Sequence, residues 1–268
     1  MNQSVGQRDT TASPVSGGAV VIREAALDLV LPLYAQPEWQ TRFPWLFQAT
    51  TGAGADYDFD LSFFGHSPSG KVLERWRAIR QFAGFESMVH ARQVHGAQII
   101  AHDHLDGGIL LRDDADGHVT GTAGLLLAIS IADCVPIFLV DASRHAIALL
   151  HAGWRGVAAG MLERGIGALL RHGAIVEDLH CHLGPAICGR CYEVGPEVHE
   201  ALGQPRPETN SPVDLYAVLV ARALAAGIPA GSVSQSAFCT RCDHGTFFSH
   251  RAGQRERQMG LLGIRRVV

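Results

Sequence analysis

Three short apolar segments in the middle of the chain constrain its fold more than any other feature of the sequence. They span Leu125 to Ile131, Pro136 to Asp141 and Ala146 to Leu150, and turn-forming residues separate the last two. Apolar runs of this length with β-branched residues are typical of buried strands. Val157 to Arg171 then carries apolar residues at the helical period and is followed by Gly173, which predicts a helix. His151 therefore lies on a predicted strand-to-helix turn.

Other predicted elements alternate irregularly along the chain. Helices are predicted from Lys71 to Phe82 and from Asp214, a good N-cap, to Ala226. This irregularity, with no Gly-x-Gly-x-x-Gly fingerprint, favours an α/β or α+β protein without a nucleotide cofactor. Further strands are predicted at Trp45 to Thr50, Met88 to Val94, Gln98 to Ala101, Leu179 to Leu183, Ser232 to Phe238 and Leu261 to Val267.

Composition limits the class of protein. The 268 residues are 47% hydrophobic and 18% charged, typical of a well-packed core, and the net charge of -4 gives no basic surface for nucleic acid. The longest apolar run, Ala123 to Ala132, is too short to span a membrane. Met1 to Gly18 is polar and lacks the apolar core of a secretory signal. We expect a disordered tail over 1–18 and a cytoplasmic protein without membrane or nucleic-acid partners.

His95, Cys134 and His151 are the candidate metal ligands. Each lies near the end of a predicted strand, where functional sites are commonly built. Imidazole and thiolate are ligands that zinc prefers, and three protein ligands leave a fourth position open for chemistry. The chain has 14 His and 6 Cys, so such a trio could occur by chance. The spacing of the three residues alone does not decide whether they bind a metal.

Short motifs surround these residues and recur further along the chain. They are Gln93-Val94-His95-Gly96, Ala132-Asp133-Cys134-Val135-Pro136, His151-Ala152-Gly153-Trp154-Arg155-Gly156, Leu183-Gly184-Pro185-Ala186-Ile187, Cys191-Tyr192-Glu193-Val194-Gly195, Cys239-Thr240 and Phe247-Phe248-Ser249-His250-Arg251. In this order they resemble the laccase-domain family, and the resemblance runs from about Gln93 to Ile264. Proteins of this family are variously described as polyphenol oxidases, as peptidoglycan editing factors and as zinc-dependent purine nucleoside phosphorylases with adenosine deaminase activity.

The resemblance implies a fold and a ligand set. It implies one catalytic domain over residues 19–268, a layered α/β/β/α sandwich with mixed sheets. It also implies that His95, Cys134 and His151 bind Zn²⁺, with copper as the alternative. The expected small-molecule partners are phosphate and a purine nucleoside, namely adenosine, inosine or methylthioadenosine, and the expected state is a monomer or homodimer.

The remaining site residues are assigned by the chemistry that such reactions need. Asp133 or Asp116 is the candidate carboxylate for proton transfer in deamination at C6 of adenine, where zinc lowers the pKa of water to about 7. Arg155 and Arg251 are candidates for binding phosphate, because a guanidinium group contacts two oxygens at once, and Arg155 is also a candidate catalytic residue. The remaining candidate substrate contacts are Tyr192 and Phe248.

Two other functions use residues of the same chain. His180-Cys181-His182 looks like the copper-binding motif of true laccases, with His102-Asp103-His104 as a second His pair. A multicopper oxidase needs more histidines in a longer chain, which disfavours this copper-dependent polyphenol oxidase. The other alternative is a cysteine hydrolase that edits a peptidoglycan precursor, with Cys134 as nucleophile and His95 or His151 as base.

Two Cys-x-x-Cys pairs, Cys188 with Cys191 and Cys239 with Cys242, raise the possibility of a four-cysteine zinc site. The 47 residues between Cys191 and Cys239 exceed the roughly 15 to 20 of a compact zinc ribbon. The spacing therefore disfavours such a site and leaves the role of the pairs open.

Overall fold

The computed structural model describes residues 18–28, 30–63 and 65–266. The predicted N-terminal tail lies outside the described residues apart from Gly18, and so does Val267 at the end of the last predicted strand. Within the described ranges, no helix combines the length and the apolar composition that crossing a bilayer requires.

Sixteen strands and six α-helices occur in the described part of the chain. The strands are β1 (Val20–Ile22), β2 (Ala25–Ala26), β3 (Leu33–Ala35), β4 (Leu46–Thr51), β5 (Ser87–Ala91), β6 (Ile99–His102), β7 (Gly108–Arg112), β8 (Gly117–Thr120), β9 (Leu125–Ile131), β10 (Val135–Asp141), β11 (Ala146–Ala152), β12 (Leu179–Leu183), β13 (Glu193–Val194), β14 (Ser211–Pro212), β15 (Val233–Ser236) and β16 (Gln258–Ile264). The α-helices are α1 (Pro37–Arg42), α2 (Ser69–Ala83), α3 (Trp154–Ala158), α4 (Met161–Arg171), α5 (Pro196–Ala201) and α6 (Leu215–Ala225). Short 3-10 helices span Val176–Asp178, Gly189–Cys191, Ala230–Ser232 and His250–Ala252.

Two seven-stranded mixed sheets form the centre of the molecule. The first has the strand order β1-β15-β12-β10-β11-β8-β6, and the second has the order β2-β3-β4-β16-β9-β5-β7. In the first sheet β12 pairs parallel to β15 and antiparallel to β10. In the second, β9 pairs antiparallel to β16 and parallel to β5. Strands β13 and β14 form a separate two-stranded ribbon.

Successive residues of the central strands face different layers. Leu139 of β10 packs in the core shared with α4 and α6, whereas its neighbour Phe138 packs between the two sheets against Leu127 of β9. Leu126 packs on the outer side of the second sheet against Trp76 of α2. The layers are therefore α2, second sheet, first sheet, and α4 with α6. This is the expected α/β/β/α sandwich, and burial on both faces explains why these strands are apolar throughout.

Most predicted elements agree with the structure to within a few residues. One correction concerns the helix predicted from Val157 to Arg171, which is two helices, α3 and α4. The chain breaks at Gly160, whose φ is +78°, a conformation that glycine adopts without the steric cost of a side chain. The predicted strand from Met88 to Val94 ends at Ala91, which leaves His95 in a loop.

A glycine of α4 marks the closest approach of this helix to β11. A Cβ atom at Gly165 would lie 2.4 Å from Cδ1 of Leu150 and 3.2 Å from Cδ1 of Leu139. We expect Gly165→Ala to lower the free energy of unfolding by about 1–3 kcal/mol through overpacking. Gly167→Ala in the same helix is the control, since its Cβ would meet only Nη1 of Arg171 at 3.7 Å. That change should raise stability by roughly 0.5–1 kcal/mol. Urea unfolding measures the free energy of unfolding of both variants. Equal free energies for Gly165→Ala and Gly167→Ala would contradict the close packing at Gly165.

Candidate metal centre

The structure brings His95, Cys134 and His151 together. Their ligand atoms all lie within 4.8 Å of one another, and the two imidazole ring centroids are 4.9 Å apart with planes at 81°. His151 is the second-to-last residue of strand β11, Cys134 directly precedes β10, and His95 lies in the loop after β5. The antiparallel register of β10 and β11 pairs Val135 with Ala152, which sets Cys134 beside the end of β11.

Glycine at position 153 lets these three segments approach one another. A Cβ atom there would lie 3.0 Å from Sγ of Cys134 and 3.2 Å from Cδ2 of His95. Such contacts are closer than side chains ordinarily allow, so a larger residue would push two candidate ligands apart. Gly153 therefore permits the close packing of the trio.

Asp116 holds two of the candidate ligands in place. Its Oδ1 accepts hydrogen bonds from the backbone N–H of His95 at 2.9 Å and from Nδ1 of His151 at 2.8 Å. Its Oδ2 accepts from the N–H groups of Val94 at 3.2 Å and Gly96 at 2.7 Å. The carboxylate is fully buried, and burial raises its pKa, yet the hydrogen bonds from His151 and Gly96 outweigh burial and lower it. With Nδ1 of His151 engaged, Nε2 is left as its metal-binding nitrogen.

Two site residues have left-handed backbone conformations that are rare for residues with side chains. His95 has φ of +59° and Asp133 has φ of +81°. Such strain persists only where surrounding contacts impose it, and it is concentrated at functional sites. Asp116 supplies those contacts for His95. At Asp133 the side chain accepts hydrogen bonds from Oγ1 of Thr240 and from the backbone N–H of Arg251, both at 2.6 Å.

Cys134 and His151 favour a thiolate facing an imidazolium when no metal is bound. Burial raises the pKa of Cys134, but the charge of His151 and hydrogen bonds from His151 and His95 lower it to about 6. Burial likewise lowers the pKa of His151, but Cys134 and Asp116 together raise it to about 9. A cation that binds here therefore meets an ionised sulfur at neutral pH, which is the form of cysteine that ligates metals.

The donor set suits zinc. Imidazole nitrogen and thiolate sulfur are ligands that zinc prefers, and a zinc site with three protein ligands keeps its fourth position free for water or substrate. Oxygen-seeking cations such as magnesium and calcium are excluded by the absence of an oxygen donor among the three. Which metal the trio binds stays a prediction.

A cavity of about 790 Å³ opens beside the trio and includes all three residues in its lining. Its described lining contains six arginines and one carboxylate, Asp133. Arg92 and Arg112 pair with Asp114 and Asp106, and the other four arginines leave the lining cationic in a chain whose net charge is -4. Such a cavity favours an anionic ligand. The arginines are Arg92, Arg112, Arg155, Arg251, Arg255 and Arg257.

Of these six arginines, the sequence analysis predicted Arg155 and Arg251 and missed the other four. Arg92 directly follows β5 and Arg112 ends β7, and these strands are neighbours in the second sheet, where Ala91 pairs with Arg112. That pairing is not visible in the sequence. Arg255 and Arg257 belong to a basic stretch that begins at Arg251. This local concentration of positive charge is the sequence signal that could have identified them as cavity residues.

Aromatic rings support the two arginines that were predicted. The guanidinium carbon of Arg155 lies 4.3 Å from the ring centroid of Trp154, and that of Arg251 lies 5.1 Å from the ring centroid of Tyr192. Nη1 of Arg251 also donates to the carbonyl oxygen of Glu193 at 2.7 Å. Burial raises the pKa of Tyr192 to about 12, so its phenol stays neutral and able to donate a hydrogen bond.

Asp116 and Phe248 do not line the cavity, although both were predicted to act there. Asp116 is buried behind His151 and uses its oxygens to hold the ligand loop, which makes it a positioning residue. Phe248 is 1% exposed, and its ring packs against that of Tyr57 with centroids 5.0 Å apart. It supports the loop that carries Arg251.

The His-Cys-His motif lies away from the trio. His182 is fully buried, with Nδ1 2.9 Å from Oγ of Ser234 and Nε2 3.0 Å from Oε1 of Glu24. Cys181 faces the opposite, helix-covered core. Within the described ranges, neither this motif nor His102-Asp103-His104 contributes to a group of three metal-ligating atoms. Copper at the trio remains a prediction.

The fold and the site define a layered α/β protein in which His95, Cys134 and His151 line a cavity that also contains six arginines. Residues 52–265 match the family described as multi-copper polyphenol oxidoreductase laccase. The chain belongs to this family.

Characterised relatives and solved structures agree with that assignment. A purine nucleoside phosphorylase of Xylella fastidiosa strain Temecula1 is 37% identical over 212 residues, covering 74% of this chain and 80% of that protein. Adenosine deaminase RL5 from an unknown prokaryotic organism is 33% identical over 183 residues, or 62% of this chain and 70% of that protein. The crystal structure of YlmD from Geobacillus stearothermophilus superposes with a TM-score of 0.82 at 26% identity, covering 91% of this chain and all of YlmD.

Asp116→Asn tests the positioning role. An amide nitrogen would replace one carboxylate oxygen and leave either two backbone N–H groups or the His95 and His151 donors without an acceptor. We expect zinc affinity, measured by competition with a chelator, to fall roughly 10–100-fold. Asp113→Asn, an exposed carboxylate in the same loop, is the control and should bind like the unmodified protein. Unchanged affinity in Asp116→Asn would contradict this role.

The low pKa of Cys134 predicts early alkylation in the metal-free protein. Because the thiolate forms above about pH 6, the rate of reaction with iodoacetamide should reach half its maximum near pH 6 instead of about 8.5. Peptide mass spectrometry follows Cys134 separately from the other cysteines. Cys181 is the internal control, since burial raises its pKa to about 12 and it should stay unmodified. A midpoint near pH 8.5 at Cys134 would refute the ion pair.

Proposed function

We propose that the protein is a zinc-dependent purine nucleoside phosphorylase that also deaminates adenosine, acting on adenosine, inosine and methylthioadenosine. The observation that carries the proposal is the position of the His95, Cys134 and His151 trio in a cavity with six arginines and one carboxylate. Metal-ligating and anion-binding groups thus face the same space. The names of the relatives, purine nucleoside phosphorylase and adenosine deaminase, support the same reactions.

Zinc would be held by His95, Cys134 and His151. When bound, it polarises a substrate atom as a Lewis acid and lowers the pKa of water to about 7. Asp116 fixes the ring of His151 and the loop of His95, so the ligands are preorganised before metal or substrate arrives.

Phosphate binding falls to the arginines. The side chains of Arg155 and Arg251 rest on aromatic rings and form no ion pair with a carboxylate in the described part of the chain. Their charge is therefore free for phosphate, which a guanidinium group binds through two parallel hydrogen bonds. In phosphorolysis a phosphate oxygen bonds to C1′ of the ribose as the bond from C1′ to the purine nitrogen breaks, and the cationic cavity stabilises the anions involved.

Asp133 is the carboxylate best located to move protons. It lies next to Cys134 in the lining of the cavity, and Thr240 and the Arg251 backbone fix its orientation. Each oxygen accepts one of these hydrogen bonds and keeps a further lone pair for a substrate proton. In deamination it would take a proton from the attacking water and return it to the departing ammonia, giving inosine from adenosine and water.

A cysteine hydrolase is the second candidate, and the ion pair favours it. Cys134 as thiolate beside protonated His151 is the arrangement of an activated nucleophile. The two candidates differ in their response to metal. Loss of activity with a chelator and recovery with zinc supports the phosphorylase, whereas metal-free activity that alkylation of Cys134 abolishes supports the hydrolase.

The test combines product analysis with one cavity variant. Zinc-loaded protein is incubated with adenosine or inosine, with and without phosphate, and bases, ribose 1-phosphate and ammonia are separated and quantified. We expect free base and ribose 1-phosphate only with phosphate, and ammonia from adenosine without it. Arg155→Ala should raise the KM for phosphate roughly 10–100-fold, the loss of one or two charged hydrogen bonds. Deamination, which uses no phosphate, should change far less.

Arg206→Ala is the matched control, because Arg206 is exposed, pairs with Glu200 and lies outside the cavity. It should leave both reactions unchanged. If zinc-loaded protein shows no phosphate-dependent turnover of adenosine or inosine, the phosphorylase proposal is wrong. An equal loss of both activities in Arg155→Ala would remove the assignment of this arginine to phosphate.

A further inference from the structure

The two Cys-x-x-Cys pairs meet in space. Cys188 and Cys191 lie in the loop after β12, and Cys239 and Cys242 lie in the loop after β15. Strands β12 and β15 are parallel neighbours, so both loops leave the same edge of the first sheet. The pairing of β12 with β15 brings the two cysteine pairs together, although 47 residues separate Cys191 from Cys239 in the sequence. All four residues are free thiols, and their sulfur atoms lie within 4.8 Å of one another.

The sulfur atoms are spaced like the corners of a tetrathiolate site. Sγ of Cys242 lies 3.3 Å from Sγ of Cys191 and 4.0 Å from Sγ of Cys188. Four sulfurs at about 2.3 Å from a central zinc ion would be separated by about 3.8 Å in a tetrahedron. A disulfide requires about 2.05 Å. The cluster therefore matches a metal-binding arrangement better than a pair of disulfides.

Backbone N–H groups contact the sulfur atom of Cys239. Its Sγ accepts hydrogen bonds from the N–H of Cys188 at 3.2 Å and from the N–H of Cys242 at 3.4 Å. These hydrogen bonds fix the position of a candidate ligand atom, as the hydrogen bonds around the ligands of metal sites do. Cys242 is exposed and Cys188 and Cys191 are partly exposed, so a metal ion can reach the cluster from solvent.

We propose that Cys188, Cys191, Cys239 and Cys242 bind a second zinc ion that has a structural role. Four protein sulfurs fill a tetrahedral site and leave no position for a substrate, unlike the His95, Cys134 and His151 trio. The ion joins the loop after β12 to the loop after β15. Besides the cysteines, one side-chain contact between these loops is a hydrogen bond from Nη1 of Arg241 to the carbonyl oxygen of Cys191 at 3.3 Å.

The joined loops carry residues of the cavity. Tyr192 directly follows Cys191 and lines the cavity. Thr240 directly follows Cys239 and donates to Asp133 at 2.6 Å. The second zinc thus positions a phenol and a carboxylate of the cavity through the residues next to its ligands. It would act as a positioning element for the cavity wall, without contacting substrate.

Metal content of the full chain, purified under reducing conditions with zinc supplied and analysed by elemental mass spectrometry, tests the proposal. We expect two zinc ions per chain, one ion in Cys134→Ala and one in Cys242→Ser. Cys181→Ala, a buried cysteine outside both groups, is the control and should keep two. Cobalt substitution gives an independent readout. The intense sulfur-to-cobalt charge-transfer absorption of a tetrathiolate site should persist in Cys134→Ala and be lost in Cys242→Ser.

One zinc ion per chain that disappears in Cys134→Ala and stays in Cys242→Ser would overturn the second site. A disulfide between Cys191 and Cys242 in the reduced preparation, detected by mass after alkylation, would overturn it as well. If Cys242→Ser does not fold, cobalt absorption in Cys134→Ala decides, and a spectrum without thiolate charge transfer contradicts the proposal. None of these readouts requires turnover of a nucleoside, so failure of the proposed function leaves the test intact.

Discussion

The carboxylate of Asp116 is the contact on which the arrangement of the candidate metal-binding trio depends. It is buried between the loop after β5 and the end of β11, and it accepts four hydrogen bonds from the two segments. A buried carboxylate without partners would be costly, whereas one with four donors is stable and holds them in a fixed arrangement. It keeps His95 in a left-handed conformation and sets the ring of His151. The strain at His95 is thus imposed by an interaction that also orients the second imidazole.

Asp133 has the corresponding role on the other side of Cys134. Its carboxylate joins the start of β10 to the C-terminal loop through Thr240 and Arg251. Two residues of the four-cysteine cluster, Cys239 and Cys242, belong to the same loop. The cavity wall therefore depends on side-chain contacts between loops that are distant in sequence, and the sheets fix only where each loop begins. Backbone hydrogen bonds from the N–H of Thr240 to the carbonyl oxygen of Ala186 and from the N–H of Ile187 to that of Asp133, both at 3.0 Å, add to these contacts.

How far the sequence predicted this arrangement depends on the kind of signal. Buried strands such as β9 and β12 were predicted at their observed bounds, because burial on both faces makes their apolar runs continuous. The short strands β1 to β3 and β13 to β14 were missed, since two or three residues carry no period. At the site, His95, Cys134, His151, Arg155 and Arg251 came from local motifs and lie together. The cluster of four cysteines was judged too widely spaced, because linear separation says nothing about which strands are neighbours in a sheet.

The two groups of sulfur and nitrogen ligands differ in a way that follows from their positions. The trio occupies the floor of the cavity and has three donors from the protein, so any ion there has room for a further ligand from the cavity. The cysteine cluster lies outside the cavity and has four donors, so an ion there has no such room. The surrounding charge agrees with this division. Arginines surround the open site, where an anionic substrate would add to the negative charge of the single thiolate, and the cationic lining offsets that addition. The closed site needs no such lining, because no further ligand approaches it.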